Sequence, residues 1–447
     1  MAERSMPCAV PITRWAPLAL LWLPLSGCSS TTDSLGTNGV AAGPPMPAAG
    51  ASASALGGAG GSSARGGAAG LPPGGTAGTG GAAGAEATGP SSVFTDVLDV
   101  TDEEVADKLE AGFQQLFHGD PTTEAIYYTE GSDQAYIYNE ESGEVQTDGL
   151  GYGMMICVQL DKQDEFARLW RYMATNNRYE SGARAGYLYW NCPEDSQGCP
   201  DPNGMQYAAA ALLFAANRWS VPDYANDALE ILDVMLHLED RNGGVVDGVH
   251  DAFDNTTHIV RAVPTVGEDV TTVSQILPAF TAIFADRGND EEEWAQITTA
   301  QRDLIRAFTN TPTRLSPYLV RMTTGEAWVS DFQGDSYRVG LNVAVDHLWY
   351  ATNWESLANG LVGFFAAQPM PPPAQFDVNT GDALVSRTSN ALMATNGAVA
   401  AAATDPDRVG LVQAVWDMPI PTGTSRYYDG TMYLMSLLVL GGEMNVY

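Results

Sequence analysis

The sequence predicts an all-α fold, a closed arrangement of about a dozen helices in pairs. Three observations carry this. From Val93 onward, apolar residues recur at helical spacing in one segment after another; loops rich in glycine, proline and aspartate separate those segments; and no sustained period-two alternation marks a sheet. A chain of 447 residues with 45% hydrophobic content can bury one large core and still carry appendages. That many paired helices are too large for a simple bundle and fit a ring, although periodicity leaves open how the ring closes.

Residues 1–28 stand apart from the fold. Arg4 and Arg14 precede the apolar run Ala16–Leu25, which is too short to span a bilayer comfortably and reads as an export signal. Residues 29–92 are Gly, Ala, Ser, Thr and Pro with almost no charge. Such a segment buries too little apolar area to offset the entropy of ordering, so a flexible tether reaching on the order of 45 Å is expected. Residues 93–447 form the globular domain.

Order begins at Val93; Thr101-Asp102-Glu103-Glu104 is a capping box, followed by the stripe Val105, Leu109, Phe113, Leu116 and Phe117. Short strand-like pieces (Ala125–Tyr128, Ala135–Tyr138) come next, then the helix Met154–Leu160 and a stripe of Phe166, Leu169, Trp170 and Met173. Further helices are expected over Ala208–Trp219, Tyr224–Leu236, Val273–Phe284, Glu291–Phe308, Leu341–Tyr350, Leu357–Phe365, Ala391–Ala403 and Met432–Leu440.

The net charge of −33 argues against a general affinity for nucleic acid or an anionic membrane surface. The five histidines (118, 237, 250, 258 and 347) form no spaced metal motif, and the acidic stretch Asp240–Asp254 misses the calcium-loop spacing, so neither a metal nor a cofactor is expected. Of the five cysteines, Cys8 leaves with the signal and Cys157 lies on an apolar helix, where an inert buried thiol is expected. Cys192 and Cys199 close a small loop, and an exported domain favours a disulfide there.

The stretch around Asp148 reads differently from the rest. A carboxylate before Gly149-Leu150-Gly151-Tyr152-Gly153 at a helix entry has a bland reading as a cap. Three glycines go beyond capping: a bare backbone would let a bulky ligand lie against the chain, with Tyr152 as a stacking surface.

The blocks GLGYGMM, GYLYW, PNGMQY leading into AAAALLFAANRW, GDSYRVGLNVAVDHLWY (Gly334–Tyr350) and RYYDGTMYLMSLLVLGG (Arg426–Gly442) together resemble glycoside hydrolase family 8. The likeness is closest to its branch acting on xylo-oligosaccharides, the reducing-end xylose-releasing exo-oligoxylanases and xylanases. It runs from about Asp96 to the C-terminus. It implies an (α/α)6 barrel with a groove across the loops at one end, and hydrolysis of β-1,4-linked oligo- or polysaccharides with inversion. Inversion needs one carboxyl to protonate the leaving oxygen and another to activate water on the opposite face, about 6.5–9.5 Å away.

By that resemblance Asp148 is the general acid, at a position where the family usually has glutamate, and Asp335 is the general base. Arg338, one helical turn on, is placed to hold the region by a bidentate bond. A third acidic position is occupied here by Asn203, with Asp201 close enough in sequence to substitute. Tyr152, Trp190, Tyr207, Tyr337 and Arg338 are the candidate substrate-binding residues, Trp190 and Tyr207 as stacking platforms; for Tyr187 and Tyr189 a core role weighs at least as much. With Asn203 uncharged, Asp148 is expected to hold its proton less well and the rate optimum to lie at lower pH. The competing reading is a catalytically weak relative that binds glycans in the same groove, and cellulose, β-glucan and chitosan compete with xylan as substrates. Leu25-Ser26-Gly27-Cys28 also resembles a lipobox, which implies that Cys28 is the lipidated first residue of a surface-displayed bacterial lipoprotein; the alternative is an ordinary signal peptide and a secreted protein. A monomer is expected.

Overall fold

The computed structural model describes residues 91–190, 199–265, 267 and 269–447. The readings of 1–28 and of the tether up to residue 90, Cys28 included, lie outside the described residues, as does Cys192.

After a short lead-in helix, α1 (Val93–Val97), twelve helices follow among the described residues. They are α2 (Asp102–His118), α3 (Thr147–Gln159), α4 (Gln163–Asn176), α5 (Pro202–Arg218), α6 (Pro222–Asn242) and α7 (Pro278–Arg287). Then come α8 (Glu291–Phe308), α9 (Arg338–Tyr350), α10 (Glu355–Ala366), α11 (Asn390–Ala398), α12 (Arg408–Trp416) and α13 (Arg426–Leu440). The odd-numbered helices from α3 to α13 touch in sequence, and α13 returns to α3, so an inner ring of six closes on itself. The even-numbered helices pack outside it, α4 on α3, α10 against α9 and α2 on α13. This is the (α/α)6 barrel that the resemblance implies.

Composition explains which helices go inside. A helix covered on every side must be apolar all round, whereas an outer helix needs one stripe. Helix α3 buries every residue except Asp148, and the alanine run Ala208–Ala211 is buried throughout in α5. Outer helix α4 buries only Phe166, Leu169, Trp170, Tyr172 and Met173 and shows charged residues to solvent.

The glycines of α3 serve this packing and leave no space for a ligand, which corrects the sequence expectation. A Cβ on Gly149 would fall 2.6 Å from Tyr427 Oη, one on Gly151 2.7 Å from Tyr207 Cβ, and one on Gly153 2.9 Å from Ile137 Cγ1. Helix boundaries also differ from the pattern. Val273–Gln275 is a 3-10 turn, and α7 starts only at Pro278. Helix α5 begins at Pro202, with Asp201 as its N-cap, so the block before Ala208 is already helical. Short antiparallel pairs join the helices: β1 (Tyr127–Glu130) with β2 (Gln134–Asn139), and further on a hairpin between Leu319 and Val329.

Candidate active site

The first turns of α3, α5, α9 and α13 meet at one end of the ring and carry the candidate residues. Asp148 lies inside the first turn of α3, after a cap position held by Gln146 with no side-chain bond, so it does not serve as the cap. Its Oδ1 accepts the Gly149 N–H at 2.8 Å and the Tyr427 hydroxyl at 3.3 Å. Asp335 sits on a 3-10 turn, Gly334–Tyr337, that feeds directly into α9. Gly334 enters that turn at φ 49°, a left-handed conformation that costs glycine little.

Arg338, the first residue of α9, joins the two. It is buried, and its Nη2 lies 2.6 Å from Asp335 Oδ1 in a single short contact, where a bidentate one was expected. The same guanidinium stands over the Tyr152 ring, 5.7 Å from its centre, and its charge stabilises ionised Asp148.

The carboxyls are strongly perturbed. Both Asp148 and Asp335 are half-buried at this end of the ring. Burial raises Asp148 above the usual carboxylate range, with Arg338, the Gly149 N–H and Tyr427 opposing. Asp335 is pushed up to about 7 by burial and then by the Asp148 charge, with Ser274 pulling the other way. The nearby Arg338 guanidinium also favours the ionised form of Asp335. Asp201, buried beneath this pair, is pushed up to about 8 by burial and then by Asp148. Three carboxyls from distant parts of the chain thus share one electrostatic site, with Asp148 common to both couplings. Perturbation of this kind is what acid–base chemistry at moderate pH requires.

Asn203 is buried and faces inward. Its Nδ2 donates to Tyr152 Oη at 2.8 Å, while its Oδ1 has no partner among the described residues. The aromatic expectations need correcting. Tyr152 is buried between that amide and the edge of Tyr207, whose ring centre is 4.7 Å away. Tyr207 is itself wedged against Phe280, and Tyr337 is buried against Phe332 with its hydroxyl donating to the Ala374 carbonyl. None of the three offers a ring face to a sugar. Tyr187 is likewise core, donating to the His250 carbonyl at 2.7 Å. Trp190 alone of the five substrate-binding candidates is a half-buried aromatic; its carbonyl accepts the Thr147 N–H, next to Asp148.

Sequence reasoning missed Tyr427, Tyr428, Tyr318 and Ser274. Tyr428 donates to the Gly334 carbonyl at 3.1 Å, supporting the Asp335 turn, and the Tyr318 phenol is raised chiefly by the Asp335 charge. The tyrosine pair lay in view within RYYDG; Tyr318 and Ser274 had no local signal. Among the described residues no group of three or more His, Cys, Asp or Glu side chains is placed to hold a metal ion. Four histidines each pair with a carboxylate, His118–Glu165, His237–Asp290, His250–Glu239 and His258–Glu293, and His347 bonds the Thr352 carbonyl. Burial pushes the Cys157 thiol up, so it is inert. Cys199 is half-buried; its expected partner lies outside the described residues.

A ring of paired helices with coupled carboxyls at one mouth defines a class, the helical-barrel glycosidases. The profile of the glycosyl hydrolases family 8 matches residues 129–442, and the chain belongs to that family of inverting glycosidases. It is 31% identical over 377 residues to the reducing-end xylose-releasing exo-oligoxylanase Rex8A of Paenibacillus barcinonensis, covering 77% of this chain and 94% of that one. A reducing end xylose-releasing exo-oligoxylanase of Halalkalibacterium halodurans is 29% identical over 365 residues, covering 78% and 92%. Among solved structures, a xylobiose complex from Teredinibacter turnerae superposes with a TM-score of 0.75 at 30% identity, covering 80% of this chain and 98% of that one.

Proposed function

We propose that this glycosidase cleaves β-1,4-linked xylo-oligosaccharides or xylan, with Asp148 as general acid and Asp335 as general base. The observation that carries the assignment is the meeting of two half-buried carboxyls, one from the first turn of α3 and one from the turn before α9, at one end of the ring, where buried Arg338 lies 2.6 Å from Asp335 and its charge acts on Asp148. Burial favours the protonated form of Asp148, the form that donates to the leaving oxygen. Asp335, paired with Arg338, takes the proton of the attacking water once ionised. Arg338 is too buried to meet the sugar and positions the two carboxyls. Asn203 orients the Tyr152 hydroxyl, and Trp190 and Tyr318 supply the half-exposed aromatic surface.

Likeness to two exo-oligoxylanases and a xylobiose-bound structure supports xylan-derived substrates over cellulose, β-glucan or chitosan. The test is reducing-end release from xylo-, cello-, mixed-linkage and chito-oligosaccharides by the purified domain. Release from xylo-oligosaccharides alone or fastest is expected. Binding with no release from any substrate would replace the hydrolase with a glycan-binding protein.

We further propose that Cys28 carries lipid and holds the enzyme at the bacterial cell surface, which Cys28→Ser should undo by releasing it from membranes. A Cys192–Cys199 disulfide is proposed as well; peptide mass mapping without reductant should find the linked pair.

A further inference from the structure

Asp201 is the group near the proposed donor with least explanation in the fold. Its Oδ1 accepts the Gly204 N–H at 3.1 Å and so caps α5. Its Oδ2 is buried with no partner among the described residues, and the residue is only 5% exposed. Asparagine or serine would cap the helix as well. Either would avoid sealing an ionisable oxygen away from water, so capping does not account for an acid here.

What lies beside that oxygen is the peptide bearing Asp148. A Cβ on Gly204 would stand 2.7 Å from Asp201 Oδ2 and 2.8 Å from the Thr147 carbonyl carbon, so the bare glycine lets the first turn of α5 press against that peptide. The contact is one of packing: among the described residues Oδ2 takes no hydrogen bond, and the peptide that leads into Asp148 stands beside it. Thr147 is fixed from the other side, its hydroxyl donating to the Tyr189 carbonyl at 2.5 Å and accepting from Asn177 at 3.0 Å.

We propose that Asp201 is a positioning residue for Asp148, a second buried carboxyl packed against the donor's peptide, the two carboxyls holding one proton between them. The proposal rests on the reading of Asp148 as the general acid. Two carboxyls that interact strongly lose their protons in two separated steps, so the pair keeps its last proton to higher pH than a lone acid would. Among the described residues the other groups facing the pair are Arg338 from α9, Tyr427 from α13, Tyr207 from α5, Asp335 from the turn before α9 and the Cys199 thiol on the Asp201 side. Of these only Arg338 is cationic, and it lies on the Asp148 side. Among the described residues no cation acts on Asp201, which leaves the proton as its means of neutralisation.

The test is Asp201→Asn, which keeps the cap and removes the acid. With xylo-oligosaccharides, the alkaline limb of kcat/KM should move down by about one pH unit, while KM at pH 5 stays within about threefold. A merely structural role would leave that limb in place. A second measurement does not depend on activity. The folded pair binds a proton that the unfolded chain releases near its ordinary range, so stability falls as pH rises from 5 to 9. Asp201→Asn should flatten that fall in melting temperature, and flatten it less in an Asp148→Asn background. An unmoved alkaline limb in a folded variant, or the same flattening in both backgrounds, would overturn the proposal. If the wild type releases no reducing ends, the hydrolase reading fails, and the melting comparison still decides whether the two carboxyls share a proton.

Discussion

Asp148 has one methylene fewer than the glutamate usual at its position in the family, and its Oδ1 is drawn back by Gly149 and Tyr427. A donor set back by about an ångström can lose on the order of a hundredfold in rate. Asp148→Glu is therefore expected to raise kcat on xylo-oligosaccharides, whereas Asp148→Asn should lower it by about 10²–10⁴-fold, the usual worth of a general acid. Steady-state rates of the two variants at one pH check both. The pH dependence expected from the structure runs opposite to the one expected from the sequence. An uncharged Asn203 argues for an acid-shifted optimum, but Asp335 pushed up to about 7 and Asp201 up to about 8 argue the other way. Below its pKa Asp335 is protonated and cannot take a proton from water, so activity should fall on acidification from near neutrality, well above the range of an ordinary carboxylate. A kcat/KM profile with its acid limb near pH 4 would contradict this. Asp148 and Asp335 were legible as candidates because each opens a block with family-like spacing. The burial of Tyr152, Tyr207 and Tyr337 was not, because a tyrosine on an inner helix has the same local sequence whether its ring faces a groove or a neighbouring helix.

At the scale of elements, the site depends on how closely α3 approaches α5 and α13. Gly204→Ala would place a Cβ 2.6 Å from Thr147 Cγ2 and 2.8 Å from a backbone carbon, which cannot swing away. The substitution should cost about 1–3 kcal/mol in a denaturant titration and lower activity by moving Asp148. Gly149→Ala should act similarly by displacing the Tyr427 hydroxyl, 2.6 Å from the new Cβ. The start of α13 is pinned by buried Arg426, which lies 2.5 Å from Glu140 and donates to the Ala125 and Gly423 carbonyls. Most helices were legible from periodicity. Helix α12 was not, since it has no side-chain cap and buries only Leu411, Val412 and Val415. The hairpin between Leu319 and Val329 also escaped, because its strands of two and three residues are too short to show alternation.

Over the whole molecule, the ring is closed by packing of α13 on α3 and strapped at its far end by the chain after α13. Asn445 exchanges two hydrogen bonds with Gln159, Trp349 donates to the Met444 carbonyl, and Asn217 and Arg287 both donate to the Tyr447 carbonyl. These contacts tie α3, α5, α7 and α9 together. Removing residues 443–447 should lower the melting temperature by several degrees without changing which oligosaccharides are cleaved. The number and pairing of helices could be read from the sequence. Ring closure could not, because contacts between segments nearly 300 residues apart leave no periodic trace.

Asp148 and Asp335 are proposed to work as an acid–base pair at one mouth of the ring. The most direct test of that pairing is Asp335→Asn assayed beside the wild type on xylotriose to xylohexaose, with binding measured by calorimetry on the same samples. The account predicts reducing ends from the wild type, a loss of about a thousandfold or more in kcat for the variant, and oligosaccharide binding within a few-fold of wild type. Turnover by Asp335→Asn within about tenfold of wild type would contradict it.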